Sequence, residues 1–174
     1  MAKTIHRFVC VCALFCSLHY CLAQDSIRRT YYSQLNVREQ PIGSNWGKDV
    51  QKYLASVKVH TPAPWCAAFV HWCLCECGIP NDITAWSPSA HNANNIVYFR
   101  GFLKTPKSGD VFTVYFVSMK RIGHTGFFDV DAGNGMFYTV EGNSNNNGSR
   151  EGIGVFRLKR RYHSIYSITR WQKQ

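Results

Sequence analysis

The chain has 174 residues and a formal net charge of +10, with 45% hydrophobic and 14% aromatic residues. That length and apolar content suit one domain with a single core, and the sequence carries no internal repeat. The positive balance leaves nucleic acid, an anionic membrane surface or an anionic cell-wall polymer as partners.

The chain opens on a segment with the grammar of an export signal. Lys3, His6 and Arg7 form a basic start and an apolar run spans Phe8–Leu18. That run is too short to cross a bilayer. Cys21-Leu22-Ala23 places small residues at −3 and −1, so cleavage is expected after Ala23. Tyr20 is too large to precede a lipidated cysteine. The domain organisation is therefore a signal peptide over 1–23 and one domain over 24–174, and export argues against nucleic acid as a partner. Removing Lys3 and Arg7 leaves 18 Lys and Arg against 10 Asp and Glu, a net +8. No later stretch has the length and apolarity of a transmembrane helix.

A first helix is predicted over Ser26–Leu35. A second is predicted over Trp46–Val57, where Trp46, Val50, Tyr53, Leu54 and Val57 share a face. A third runs from Trp65 to Cys77 and stops at Gly78-Ile79-Pro80. A shorter helix is expected over Ser89–Ile96. Beyond it the chain turns to β-branched and aromatic residues. Strands are predicted over Val111–Val117, His124–Val130, Met136–Glu141, Ile153–Leu158 and Ser164–Trp171. Gly109-Asp110, Ala132–Gly135 and Asn145–Gly148 serve as turns. Helices followed by an antiparallel sheet of about five strands is an α+β layout.

The cysteines of the exported chain, Cys66, Cys73, Cys75 and Cys77, all lie in the third helix. This is no disulfide framework, and C-x6-C-x-C-x-C lacks the paired spacing of a structural zinc site. Cys73 and Cys77 fit the core, and Cys75 has no evident assignment. Cys66 differs because it opens the helix, just after Pro64-Trp65. There the positive end of the helix dipole favours thiolate, the nucleophilic form. A thiolate nucleophile needs a base, and the base needs a third group to fix its tautomer. His124 stands at a strand start in Gly123-His124-Thr125-Gly126-Phe127. Glu141-Gly142-Asn143 ends the neighbouring strand, and an antiparallel pairing can set Glu141 beside the imidazole.

Four segments in order, Pro64–Val70, Gly109-Asp110-Val111, Gly123–Phe127 and Val140–Asn143, resemble the CHAP family of cysteine, histidine-dependent peptidoglycan hydrolases. That family lies within the NlpC/P60-like, papain-type group, and the similarity spans about residues 46–171. The resemblance implies a papain-like α+β fold and an exported enzyme, periplasmic or secreted, that hydrolyses peptidoglycan amide bonds without a cofactor or metal. By it, Cys66 is the nucleophile, His124 the general base, and Glu141 or Asn143 the third member. The Cys66 backbone N–H, at the helix start, is a natural oxyanion donor. Trp65, Trp86 and Tyr98 are candidates to line a substrate groove, with core packing as the other reading of each. No wall-binding module is recognisable in the sequence, so targeting is expected from the domain's own charge, notably the run Arg157–Arg161, or from another protein. A monomer is expected. Two alternatives use the same fold: a non-catalytic wall-binding module, and papain-type acyl transfer or deamidation of a protein target.

Overall fold

The computed structural model describes residues 25–99, 102–147 and 152–172, so the expected signal segment lies outside the described residues. Helix α1 covers residues 25–32. It is followed by α2 (Lys48–Ser56) and α3 (Cys66–Glu76). Seven strands follow: β1 (Ile96–Phe99), β2 (Phe102–Leu103), β3 (Val111–Phe116), β4 (Arg121–Gly133), β5 (Met136–Ser144), β6 (Gly154–Arg161) and β7 (Ser167–Thr169). They form one antiparallel sheet in the order β2-β1-β7-β3-β4-β5-β6. The α+β layout is as expected, with two more strands than the sequence suggested.

Side chains alternate across a strand, so β3, β4 and β5 each feed two cores. Val111, Phe127 and Val140 pack with Ile27, Tyr31, Leu54, Phe69 and Leu74 beneath the helices. Phe112, Phe128 and Phe137, on the same three strands, face the other way, against Val97, Ile165 and Ile168. Helix α3 lies on β4 and β5. The approach is close because position 142 is glycine: a Cβ there would stand 2.6 Å from the Phe69 Cβ.

Three expectations change in detail. Ser89–Ile96 is not a helix. It breaks into two short 3₁₀ turns, Ser87–Ala90 and Ala93–Asn95. The Asn92 side chain accepts the Asn94 N–H at 3.1 Å, a local bond that competes with helical continuation. The residues after them form β1 and β2, a hairpin at one sheet edge. The last expected strand, Ser164–Trp171, contracts to β7, which inserts between β1 and β3. The Asn134-Gly135 turn has positive φ at both positions, 52° and 70°, as a two-residue hairpin requires.

The Gly109-Asp110 motif proves to be a clamp. Asp110 is buried, accepts two hydrogen bonds from Arg170 (Nε 2.8 Å, Nη2 2.7 Å) and accepts the Lys107 N–H at 2.8 Å. This joins the start of β3 to the end of the chain.

Candidate active site

Cys66 is the first residue of α3. The N-terminal N–H groups of a helix have no partner within it, and here a buried polar network supplies one. Asn143 sits at φ 50°, a left-handed conformation that asparagine tolerates. In the amide orientation that satisfies its neighbours, its oxygen accepts the Trp65 N–H at 3.1 Å. Its nitrogen donates to Asn45 Oδ1 at 3.2 Å and to the Gly152 carbonyl at 3.3 Å. Glu39, also buried, accepts the Trp65 indole N–H at 2.9 Å and the Asn45 backbone N–H at 3.0 Å. Glu39 and Asn143 thus fix the residue before the cysteine from two sides.

His124 projects from β4 opposite Val114, on the sheet face that also carries Phe112. Its Nε2–H donates to Glu141 Oε2 at 2.7 Å. That bond fixes the tautomer and leaves Nδ1 as the free acceptor. Nδ1 is buried with no hydrogen-bond partner in the protein, and the Cys66 thiol interacts with the ring. Of the two residues considered for the third position, Glu141 is the one bonded to the imidazole, whereas the partners of Asn143 lie at the helix start.

Burial opposes charge on all three groups, and their neighbours outweigh it. Burial pushes the Cys66 thiol up, but His124, Ser87 and the Thr125 backbone bring it below its ordinary value. Burial pulls the His124 imidazole down, but Cys66 and Glu141 raise it to about 9. Burial pushes Glu141 up, but Arg160 and His124 hold it at about 2. This arrangement favours thiolate beside imidazolium, and the carboxylate beyond it stays ionised.

The remaining sequence candidates divide. Trp65 does not line an open groove: it is fully buried, stacked on Tyr53 at 5.5 Å, with its indole held by Glu39. Tyr98 is buried in the second core. Trp86 is 59% exposed and immediately precedes Ser87, whose Oγ lies 3.4 Å from the Cys66 sulfur. Cys73 is buried, and Cys77 is partly buried against Thr30 and Ser26. Cys75 is exposed, with His71 Nε2 at 3.4 Å from its sulfur. Among the described residues, no cluster of His, Cys, Asp and Glu could hold a metal ion.

Sequence reasoning did not find Ser87, Glu39 or Arg160. Arg160 corrects an expectation, because the run Arg157–Arg161 is not a uniform basic edge. β6 is an edge strand, but its residues alternate. Arg157, Lys159 and Arg161 are exposed, yet Arg157 is bonded to Asp129 at 2.9 Å. Arg160 turns to the opposite face and donates to both Glu141 oxygens, Nε to Oε1 at 2.5 Å and Nη2 to Oε2 at 2.6 Å. The period-2 pattern of the run was the available signal, but only the β5–β6 register shows which face meets Glu141.

A helix-borne cysteine facing a strand-borne histidine, itself bonded to a carboxylate on the next strand, defines a papain-type α+β arrangement. The CHAP domain family matches residues 57–143, which contain Cys66, His124, Glu141 and Asn143. The chain belongs to the CHAP family, whose class of activity is amidase-type hydrolysis of peptidoglycan. No curated protein and no solved structure matches the chain. No helix among the described residues is long and apolar enough to cross a membrane.

Proposed function

We propose that this protein is an exported cysteine hydrolase that cleaves amide bonds of peptidoglycan, either between muramic acid and alanine or within the peptide stem or cross-bridge. The observation that carries the reading is the buried His124 imidazole, bonded through Nε2 to Glu141 and interacting with the Cys66 thiol, all within the segment that matches the family.

The chemistry follows from that geometry. Nδ1 of His124 takes the thiol proton, giving thiolate and imidazolium. The thiolate attacks the amide carbonyl carbon, and the developing oxyanion meets the Cys66 N–H at the helix start. The imidazolium then protonates the leaving amine, leaving an acyl-enzyme. His124 next draws a proton from water, whose oxygen attacks the thioester and releases the carboxylate. Glu141 keeps the ring oriented and stabilises its charged form without taking its proton. Asn143 is assigned to positioning, because it holds the Trp65 N–H rather than the imidazole. Ser87 is positioned to donate to the thiolate, and Trp86 offers an exposed aromatic face beside it for substrate.

The test is digestion of purified sacculi followed by mass spectrometry of the products. Fragments with new amine and carboxylate ends are expected from the wild type and not from Cys66→Ala. Tight sacculus binding with no new ends would favour a binding module instead. Export is tested separately: the N-terminus of the secreted or periplasmic protein is expected at Gln24 without lipid, and a chain starting at Met1 or at a lipidated Cys21 contradicts it.

A further inference from the structure

We infer that Arg160 is a positioning residue that sets the pH window of the site by acting through Glu141, an inference that rests on the Cys66–His124–Glu141 reading above. Glu141 has no exposed surface, and a buried carboxylate survives only with compensation. Arg160 compensates it bidentately, the geometry in which a guanidinium binds a carboxylate best. The Thr139 hydroxyl donates to Oε1 at 2.6 Å and Ser144 to Oε2 at 3.5 Å. The guanidinium also lies 5.5 Å over the Phe112 ring, and Phe112 is 6.3 Å from the His124 ring. Arginine and imidazole thus share a carboxylate and an aromatic floor. The charged and titratable groups along this line are Cys66 from α3, His124 from β4, Glu141 from β5 and Arg160 from β6. In the reactive form their charges alternate −, +, −, +.

The sign of the effect follows from that sequence of charges. With Arg160 present, ionising the Cys66 thiol takes the buried group from net +1 to neutral. Without it, the same step goes from neutral to −1, so the thiol holds its proton to higher pH. Deprotonating His124 likewise becomes harder, because the site is already negative. Both limbs of the activity profile therefore move upward. A purely architectural arginine would change how much active protein there is and leave the limbs where they are.

The experiment compares wild type with Arg160→Gln and Arg160→Lys by two readouts: kcat/KM against pH on solubilised peptidoglycan fragments, and the pH dependence of Cys66 alkylation by iodoacetamide in a Cys75→Ser background. Arg160→Met, whose stem keeps the contact with Phe112, serves where Gln is not tolerated. Removing the charge is expected to shift both limbs upward by about one pH unit, the scale of one charge several ångströms away at an effective dielectric of about 20. Arg160→Lys is expected to keep the limbs near their wild-type positions with a lower plateau, since it retains charge but not the fork. An unmoved alkylation midpoint in the charge-removed variants, or a lowered alkaline limb, overturns the inference. The alkylation readout needs no turnover. A wild type that fails to hydrolyse peptidoglycan would therefore refute the proposed function and still leave the role of Arg160 measurable.

Discussion

At the residue scale, the Cys66 thiol differs from the three other cysteines among the described residues. Cys73 is buried and its thiol is pushed well above the ordinary value, chiefly by burial. Cys66 is equally enclosed, yet its thiol is lowered by His124, Ser87 and Thr125. In a Cys75→Ser background, which removes the exposed competitor, iodoacetamide is expected to modify Cys66 much faster than Cys73; equal labelling of the two contradicts the assignment. Activity against pH is expected to be a bell. Its acid limb lies below the usual thiol range, where Cys66 loses its proton, and its alkaline limb lies near 9, where the imidazolium loses its own. His124→Ala is expected to lower kcat/KM by about 10²–10⁴-fold, the usual contribution of a positioned acid–base. Glu141→Gln removes the anion beside the ring and is expected to bring the alkaline limb down with a smaller loss. A Glu141→Gln enzyme with an unchanged bell, together with an inactive Asn143→Ala, would pass the third role to Asn143. Cys66 and His124 were legible as candidates because both stand in recognisable local segments. Arg160 was not, because a run of basic residues looks the same in sequence whether a member points to solvent or to a buried carboxylate.

At the element scale, the helices that carry the site were legible from apolar spacing and from the Pro64-Trp65 start and Gly78 stop of α3. The segment after them was not. Asn92 and its neighbours bond their own backbone and break the expected helix into 3₁₀ turns, and β1 and β2 are runs of four and two residues, too short to show a period. That missed segment matters, because its first turn brings Ser87 to the thiol and leaves Trp86 exposed. The sheet register was equally hidden, and with it the side-by-side placement of β4, β5 and β6 that assembles His124, Glu141 and Arg160. The contact between α3 and β5 gives a direct test. Gly142→Ala places a Cβ against the Phe69 Cβ and the Trp65 ring, so the helix must move off the strand. Overpacking of this kind costs about 1–3 kcal/mol. Thermal unfolding is expected to fall by several degrees, with a loss of activity, since the same movement carries Cys66 away from His124. An unchanged Tm with full activity would show that the close packing is dispensable.

At the scale of the whole molecule, the buried charges make stability depend on pH. Glu141 is held at about 2 in the folded chain against an ordinary value of 4.5. A carboxyl lowered by folding contributes stability that is present above its unfolded value and lost as pH falls through the folded one. Asp129, lowered by Tyr32, Arg28 and Arg157 despite burial, acts in the same direction. Denaturant unfolding is therefore expected to show stability declining from about pH 4.5 toward pH 2, less steeply in Glu141→Gln; an identical slope in that variant contradicts the coupling. The net positive charge also bears on the substrate, with the set of contributing residues revised. Lys159 and Arg161 are exposed, whereas Arg160 belongs to the site. Neutralising Lys159 and Arg161 in the Cys66→Ala protein is expected to weaken sacculus binding, as is raising the salt, since exposed charges are screened over about 8 Å near physiological ionic strength. A flat co-sedimentation series across salt would leave groove contacts as the source of affinity.

Amide hydrolysis through a Cys66 acyl-enzyme is tested by digestion of purified sacculi in ¹⁸O-labelled water. Products are expected whose newly formed carboxylate carries one ¹⁸O, paired with a newly freed amine, and none of either with Cys66→Ala. Products cleaved at glycosidic bonds with every amide intact, amide products formed equally by Cys66→Ala, or acyl groups passed to an amine without ¹⁸O would contradict it.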